Sequence, residues 1–323
     1  MAAERILVTG ANGFIGRGLV RELRTRGREV LGAVRRGADV GPGAGVENYM
    51  VVGEIGPESV WDNALKDVST VVHLAGRAHV LKETLADPLV AYRLVNVAGT
   101  EKLARSAAAA GVERLIFLSS IGVNGNNSGI RPFNETDLPK PHNDYTTSKW
   151  EAEQLLITIG KETGMEIVII RPPLVYGPGV KANFLALLGL VSRGTPLPFG
   201  RVNNLRSLLG LDNLVDFIIL CIDQPAAAGE TFLLADGEDI STPDLIRMIA
   251  ASMGRPARLL PVPPAIMALA GRLIGRYETW EKVCGSLRLD TAKVKNCLGW
   301  RPVLGMAEGI ERTVRWYKQS GHD

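Results

Sequence analysis

Apolar positions follow two different spacings along the chain, and the alternation between them sets out an architecture before any motif is read. Short continuous apolar runs bounded by turn residues predict buried strands at residues 5–9, 29–34, 51–52, 70–73, 115–118 and 166–170. Between them the spacing shifts to three and four. Phe14, Leu19, Val20 and Leu23 share one face of a helix that Gly27 can end, and residues 59–66, 85–110 and 145–163 read as three further helices. Strand and helix in regular succession predict a parallel sheet with helices on both faces.

Beyond Tyr176-Gly177-Pro178-Gly179 the pattern loosens, with helices predicted at residues 184–193, 212–223, 242–252 and 305–319. Residues 124–144, rich in Gly, Asn, Pro and acids, read as a long loop of the kind that can wall a site. The apolar stretch 259–273 carries Pro261, Pro263 and Pro264 near its start. It falls short of the roughly 20 residues needed to span hydrocarbon and reads as a packed helix. With 46% hydrophobic residues in 323, the chain has ample material for a large core. A net charge of +3, from 37 basic and 34 acidic residues, does not make a nucleic-acid-binding surface. Cys221, Cys284 and Cys297 are odd in number and lack metal-ligand spacing, which argues against a disulfide scaffold or a metal centre and fits a reducing cytoplasm. No targeting segment or transmembrane span is indicated.

The first predicted strand runs into Gly10-Ala11-Asn12-Gly13-Phe14-Ile15-Gly16, which opens the first predicted helix. In that context the glycines have separate uses: Gly10 permits the tight turn, Gly13 close approach of a diphosphate, and Gly16 close helix packing. A dinucleotide site is expected here. After the second strand, where an acid commonly binds the ribose of NAD, the chain reads Ala33-Val34-Arg35-Arg36. Two guanidinium groups would suit a ribose 2′-phosphate, so NADPH is the expected cofactor.

Several further segments complete a pattern: His73-Leu74-Ala75-Gly76, Asn96, Ser119-Ser120, Tyr145-Thr146-Thr147-Ser148-Lys149 and Arg171-Pro172-Pro173. Together with the glycine loop they resemble the extended short-chain dehydrogenase/reductase family, in particular its nucleotide-sugar epimerases, dehydratases and reductases. The resemblance spans almost the whole chain. It implies an α/β fold: a Rossmann-type parallel sheet flanked by helices in residues 1–175, then a smaller mixed C-terminal substrate domain in 176–323 with some segments returning to the core. It also implies Ser120, Tyr145 and Lys149 as the catalytic set, with Ser120 on the sugar oxygen, Tyr145 exchanging its proton and Lys149 holding the cofactor ribose. Four residues apart, Tyr145 and Lys149 can share a helix face, and a neighbouring ammonium favours the phenolate. Cofactor contacts are further implied for Gly10, Asn12, Gly13, Phe14, Ile15, Gly16, Arg35, Arg36, Glu54, Ile55, Leu74, Ala75, Gly76, Asn96 and Pro172.

Sugar or nucleotide contacts are implied for Arg77, His79, Ser120, Asn124, Tyr145, Asn183, Leu197, Phe199 and Arg206. Where many sugar epimerases continue from the serine pair with Thr and Val-Tyr-Gly, this chain has Gly122-Val123-Asn124-Gly125, so polar contacts beside the sugar differ. The stretches Gly76–Val80 and Pro173–Phe184 resemble bacterial polysaccharide-pathway enzymes acting on UDP-N-acetylated sugars, above all the 4-keto reductases that form UDP-N-acetylquinovosamine. NADPH-dependent reduction of a UDP-2-acetamido-2,6-dideoxy-4-hexulose is accordingly the expected activity. A UDP-N-acetylhexosamine 4-epimerase with retained NAD is the alternative, and a homodimer built through the Tyr145 helix is the expected assembly.

Overall fold

The computed structural model describes residues 5–36, 48–78, 87–273 and 283–321. Its strands are β1 (Arg5–Thr9), β2 (Val30–Val34), β3 (Tyr49–Val51), β4 (Val68–His73), β5 (Arg114–Leu118), β6 (Glu166–Arg171), β7 (Leu174–Tyr176), β8 (Arg206–Gly210), β9 (Thr231–Leu233) and β10 (Asp239–Ile240). The described helices are α1 (Phe14–Thr25), α2 (Pro88–Arg93), α3 (Gly99–Ala109), α4 (Asp144–Thr163), α5 (Ala182–Ser192), α6 (Leu211–Asp223), α7 (Thr242–Met253), α8 (Pro264–Leu273), α9 (Ala292–Leu298) and α10 (Met306–Gln319).

Strand residues alternate between two buried faces, which is why the strands read as unbroken apolar runs. Ile6, Val8, Val72, Ile116, Val168 and Ile170 meet Leu19, Val20 and Leu23 of α1 and Phe217 and Ile218 of α6. Leu7, Val71, Leu115, Phe117, Ile167 and Ile169 meet Leu103 and Ala107 of α3 and Ala152, Leu156 and Ile159 of α4. The resulting seven-stranded sheet has the order β3-β2-β1-β4-β5-β6-β9, with every pairing parallel. This is the expected Rossmann-type sheet. Strand order reverses between β1 and β4, and the crevice at their carboxyl ends is where such sheets take ligands.

The chain leaves this sheet at β7 and returns to it at β9. β7 pairs parallel with β8, and β10, which follows β9, pairs antiparallel with β8 on its other side, forming a small mixed sheet. A third core of Tyr176, Phe184, Leu188, Ile246, Ile310 and Val314 packs around that sheet, and Phe14 touches both it and the core beneath α1.

Three expected elements take another form. Residues 59–66 are a run of turns with a single i to i+4 bond, Leu65 N to Trp61 O at 2.9 Å, because burial of Trp61, Ala64 and Leu65 outweighs helix propensity in so short a segment. The helix expected at 85–110 is, over its described part, α2, then a π-helical stretch Leu94–Ala98, then α3. The apolar stretch 259–273 becomes helical only at Pro264, after its other prolines, and leaves Ile266 and Leu269 exposed. Among the described residues no helix is long and apolar enough to cross a membrane.

Beneath the carboxyl ends of β5 and β6 lies an ion pair with almost no access to water, Glu153 of α4 with Arg171 of β6. Arg171 Nε donates to Glu153 Oε1 at 3.0 Å and Nη2 to Oε2 at 2.5 Å, while Ser119 Oγ donates to Oε1. Nη1 donates to Asn124 Oδ1 at 2.9 Å. Arg171→Met therefore leaves a buried carboxylate uncompensated and should lower unfolding stability by about 3–5 kcal/mol in urea titration, with Arg171→Met/Glu153→Leu recovering at least half of the loss. An unchanged midpoint for the single variant would contradict this account of the pair.

Candidate active site

The turn after β1 is shaped by close approach. Gly10 has φ +65°, and a Cβ there would stand 3.0 Å from the Ala75 amide nitrogen. Gly16 lies against the backbone of the same turn, where a Cβ would come within 2.8 Å of Ala11 Cα and overlap Gly10 O. Gly13 caps α1 without a side chain, and the first turn of α1 contains no acid. The Phe14, Ile15 and Gly16 amides occupy the N-terminal positions that have no intrahelical acceptor, and the positive end of the helix dipole lies at the same place. Asn12 is half-buried on this rim. These residues fit the diphosphate of a dinucleotide: the cradle is one that a Cβ would fill, and no acid repels the anion.

The end of β4 forms the opposite wall. Thr9 Oγ1 accepts from the Ala75 amide at 3.2 Å and lies 2.7 Å from His73 Nδ1, while His73 Nε2 meets Thr100 Oγ1 at 2.9 Å. Burial, then the nearby Lys149 charge, pushes the His73 imidazole down to about 3, so it stays neutral and bridges β1, β4 and α3. Leu74 is half-buried against the core under α1. A Cβ at Gly76 would lie 3.0 Å from Asn96 Oδ1 and 3.4 Å from Lys149 Nζ. Asn96 sits in the π-helical stretch, where its amide accepts from Arg77 N at 2.8 Å and donates to Arg77 O at 3.1 Å and to Ser148 Oγ at 2.9 Å. The extra residue of a π turn alters side-chain direction within a continuous helix, a device frequent at functional sites.

Helix α4 begins at a capping box in which Thr146 N donates to Asn143 Oδ1 at 2.9 Å and Thr146 Oγ1 accepts from Asn143 N at 3.2 Å. Tyr145 stands in this first turn, half-buried, with the Tyr92 ring edge-on at 6.2 Å. One turn on, Lys149 Nζ donates to Leu118 O at 2.9 Å and lies 4.4 Å from the Phe117 ring centre. Ser120 follows the end of β5, and its Oγ accepts from Gly122 N at 3.1 Å. The structure thus brings Gly76, Asn96, Arg77, Ser120, Tyr145 and Lys149 to one place at the carboxyl edge of the sheet. Pro172 borders it, its carbonyl accepting from Ile121 N at 3.0 Å.

Burial dominates the electrostatics of this set. It pushes the Tyr145 phenol up to about 12, with Tyr92 adding to the effect, and the Lys149 ammonium down to about 8 against the opposing pull of Glu153. The polypeptide alone therefore holds Tyr145 protonated. A positive nicotinamide beside it would act against that burial.

Other expected contacts lie elsewhere or are committed to protein partners. Asn124 is buried, accepting from Arg171 and donating from Nδ2 to Asn134 O at 3.1 Å. Leu197 is buried in the core of the small sheet, with Phe199 packed against it. The Arg206 guanidinium donates to Gly285 O at 3.0 Å. Asn183 is exposed near the start of α5, next to Ala182 with φ +52°. Ile55 packs on Gly99, where a Cβ would come within 2.6 Å of Ile55 Cγ2. His79 lies outside the described residues. Sequence reading missed Tyr92 and Glu153, although each is one helical turn from a residue it found, Asn96 and Lys149 respectively. Tyr92 also carries the Arg77 guanidinium 5.5 Å from its ring centre.

The profile of the NAD dependent epimerase/dehydratase family matches residues 6–235. A UDP-glucose 4-epimerase of Vibrio cholerae is 43% identical over 322 residues, covering 99% of this chain and 97% of the relative. A UDP-glucose 4-epimerase of Mycolicibacterium smegmatis is 29% identical, covering 97% and 98%. Among solved structures, MoeE5 in complex with UDP-glucuronic acid and NAD superposes with TM-score 0.78 at 26% identity, covering 98% of this chain and 99% of that one. The UDP-glucose 4-epimerase of Thermus thermophilus in complex with NAD gives 0.77 at 26%, covering 97% and 99%. The chain belongs to the NAD dependent epimerase/dehydratase family. It is an enzyme of the NAD(P)-dependent oxidoreductase and epimerase class that this family defines.

Two expectations are corrected. The Vibrio cholerae and Mycolicibacterium smegmatis relatives, which match almost end to end, are UDP-glucose 4-epimerases, which overturns the UDP-N-acetylquinovosamine-forming reductase. Both of these solved structures hold NAD, which overturns NADPH. The physical reason for the second lies in Glu54, whose Oε1 stands 3.7 Å from Arg35 Nε and 3.7 Å from Arg36 Nη2. A carboxylate already faces the guanidinium pair that was read as a phosphate clamp, and it would repel a 2′-phosphate.

This charge arrangement should make NADPH bind more weakly than NAD, with Glu54→Gln narrowing the gap. Fluorescence titration with both cofactors reads it, and an unaltered ratio in the variant would remove Glu54 from the explanation. A second expectation concerns pH. With Lys149 at about 8 when folded and 10.5 in the open chain, the unfolded state binds the extra proton between those values, so the contribution to stability rises with pH through that window. Against Lys149→Met, the cofactor-free parent should therefore gain about 3 kcal/mol between pH 7 and 10.5 in urea titrations. A constant difference across that range would show that the ammonium is not held in a desolvated state.

Proposed function

We propose that this enzyme is an NAD-dependent UDP-hexose 4-epimerase. The observation that carries the reading is the 43% identity along 322 residues to the Vibrio cholerae UDP-glucose 4-epimerase, joined to a site in which Ser120, Tyr145 and Lys149 stand at one sheet edge. Bound NAD would supply the means of taking a hydride from C4 and giving it back, so that no cofactor is consumed overall. Gly10, Gly13 and the amides opening α1 would hold its diphosphate, and Lys149 and Asn96 would border its ribose side.

The side chains then have the proton to manage. Ser120 Oγ accepts from the Gly122 amide, which leaves its own proton available for donation to the sugar oxygen. Tyr145 accepts the proton of the 4-hydroxyl and returns it once the sugar has presented its other face. Lys149 supplies a positive charge one helical turn away, and Leu118 O and the Phe117 face fix where that charge stands. Val90 and Leu94 are exposed beside α4, with α2 packed on that helix. This supports the expected homodimer through the Tyr145 helix.

Purified protein supplied with catalytic NAD should interconvert UDP-glucose and its C4 epimer without accumulating NADH. UDP-N-acetylglucosamine serves as the second substrate, because the chain also resembles enzymes of N-acetylated sugars. Tyr145→Phe should lower kcat by about 10²- to 10⁴-fold while NAD binding persists. Failure to interconvert either sugar, or one reduced cofactor consumed per product, would overturn the reading.

A further inference from the structure

Helix α8 carries apolar side chains on both of its faces. Pro264, Met267 and Ala268, spaced by three and four, are half-buried and mark the side packed on the protein. Ala265, Ile266 and Leu269 fall on the opposite side and are exposed. Ile266 and Leu269 stand 58% and 59% open to solvent, and Leu260, in the segment that leads into the helix, 48%. A helix apolar all round is expected inside a core or in lipid, yet this one lies on the surface. Its one charged residue, Arg272, comes in the last turn.

The charge around this face has a single sign. Residues 245–277 contain five arginines and no acid, although 34 of the 323 residues are acidic. Residues 167–211 also contain no acid, and they include Lys181, Arg193 and Arg201. The backbone joins the two stretches directly: Leu197 N donates to Arg258 O at 2.8 Å, Leu260 N to Leu197 O at 2.8 Å, and Gly200 N to Leu260 O at 2.9 Å. Arg201 thus follows a residue bonded to Leu260, and Arg258 precedes Leu260 by two positions. Both arginines are exposed, and among the described residues neither forms an ion pair. Arg206, by contrast, is committed inward to Gly285 O. Exposed apolar side chains bordered by cations without carboxylates complement a surface that is apolar beneath and anionic above, as a bilayer with acidic headgroups is.

We propose that the α8 face is a docking surface for an anionic lipid bilayer, with Ile266 and Leu269 entering the headgroup region and Arg201 and Arg258 meeting its phosphates. The contact is peripheral, since α8 has ten residues and cannot span hydrocarbon. It concerns where the enzyme is held, not which sugar it converts, and it stands or falls separately from the epimerase reading.

The test is co-sedimentation of the full-length, NAD-loaded protein with vesicles of phosphatidylcholine alone and of phosphatidylcholine mixed with phosphatidylglycerol. The parent should bind the mixed vesicles at least about tenfold more strongly than the neutral ones, and added salt should weaken that binding. Ile266→Ser/Leu269→Ser and Arg201→Gln/Arg258→Gln should each lose about tenfold in binding to mixed vesicles, and the arginine variant should also lose most of the salt dependence. Both variants should bind NAD as the parent does, which reports an intact fold. Saturating UDP-glucose should leave vesicle binding within about twofold. Absence of parent binding to mixed vesicles, or undiminished binding by Ile266→Ser/Leu269→Ser, would overturn the proposal. Loss of vesicle binding on adding UDP-glucose would assign the cations to the nucleotide site and overturn it as well. A smaller molar mass for Ile266→Ser/Leu269→Ser than for the parent by light scattering, without lipid, would show that a second copy of the chain covers this face and would likewise overturn it.

Discussion

The Glu153–Arg171 pair is the constraint on which the site geometry depends. Burying two charges costs several kcal/mol per ion before their attraction and hydrogen bonds offset it, and a pair of apolar side chains could fill the same space at no such cost. What apolar packing cannot do is fix directions. Arg171 spends three donors on two defined partners, and the carboxylate takes up the Ser119 hydroxyl as well. Ser119 precedes Ser120, and Glu153 lies one turn after Lys149 on α4. The pair thus binds the end of β5, the end of β6 and the catalytic helix to a common point, with the Ser120 loop attached through Asn124.

That arrangement explains which parts of the molecule were legible in the sequence. β1, the glycine turn and α1 are specified within 21 residues by local spacing and by backbone approach that only glycine permits, and the structure forms β1 at Arg5–Thr9 as the apolar run requires. Tyr145 and Lys149 are equally local, being one turn apart on one helix. Asn124 was read as a sugar contact because a polar residue follows the serine pair. Its actual partners come from β6 and from Asn134, and no local pattern announces a buried guanidinium that needs a third acceptor. The misreading of Arg35 and Arg36 has the same origin, since Glu54 reaches them only because β3 pairs with β2 in the register Val34 to Val51. The π-helical stretch was invisible for another reason: apolar spacing cannot resolve one extra residue in a turn, and Asn96, with its three bonds to Arg77 and Ser148, lies in that turn.

β9 shows where fold reading by periodicity ends. Thr231–Leu233 closes the main sheet beside β6 after the chain has built β7, β8 and α6, and three residues hold no periodic signal. The small sheet is tied to the main body by contacts equally remote in sequence. Tyr176 OH donates to Asp236 Oδ2 at 2.7 Å, and the same carboxylate accepts from Gly210 N at 2.8 Å and from Asn213 Nδ2 at 2.7 Å. Burial and the adjacent carboxylate push the Tyr176 phenol far up, so this tyrosine remains a fixed donor at any pH the fold survives.

Tyr176 and Tyr145 thus share one physical circumstance and differ in what can relieve it. Both are phenols raised by burial, but Tyr176 faces an acid that deepens the shift, whereas Tyr145 has Lys149 one turn away and opens toward the site. For the proposed epimerisation this difference matters. A tyrosine ionised permanently by its protein surroundings would need no cofactor charge to act as base and would be a poorer acid on the return step. A tyrosine held neutral by burial, beside a cationic lysine whose own charge is made costly, responds strongly to a charge placed next to both. Proton transfer in each direction can then follow the oxidation state of the nicotinamide, which is the coupling that a reversible transfer at one carbon demands.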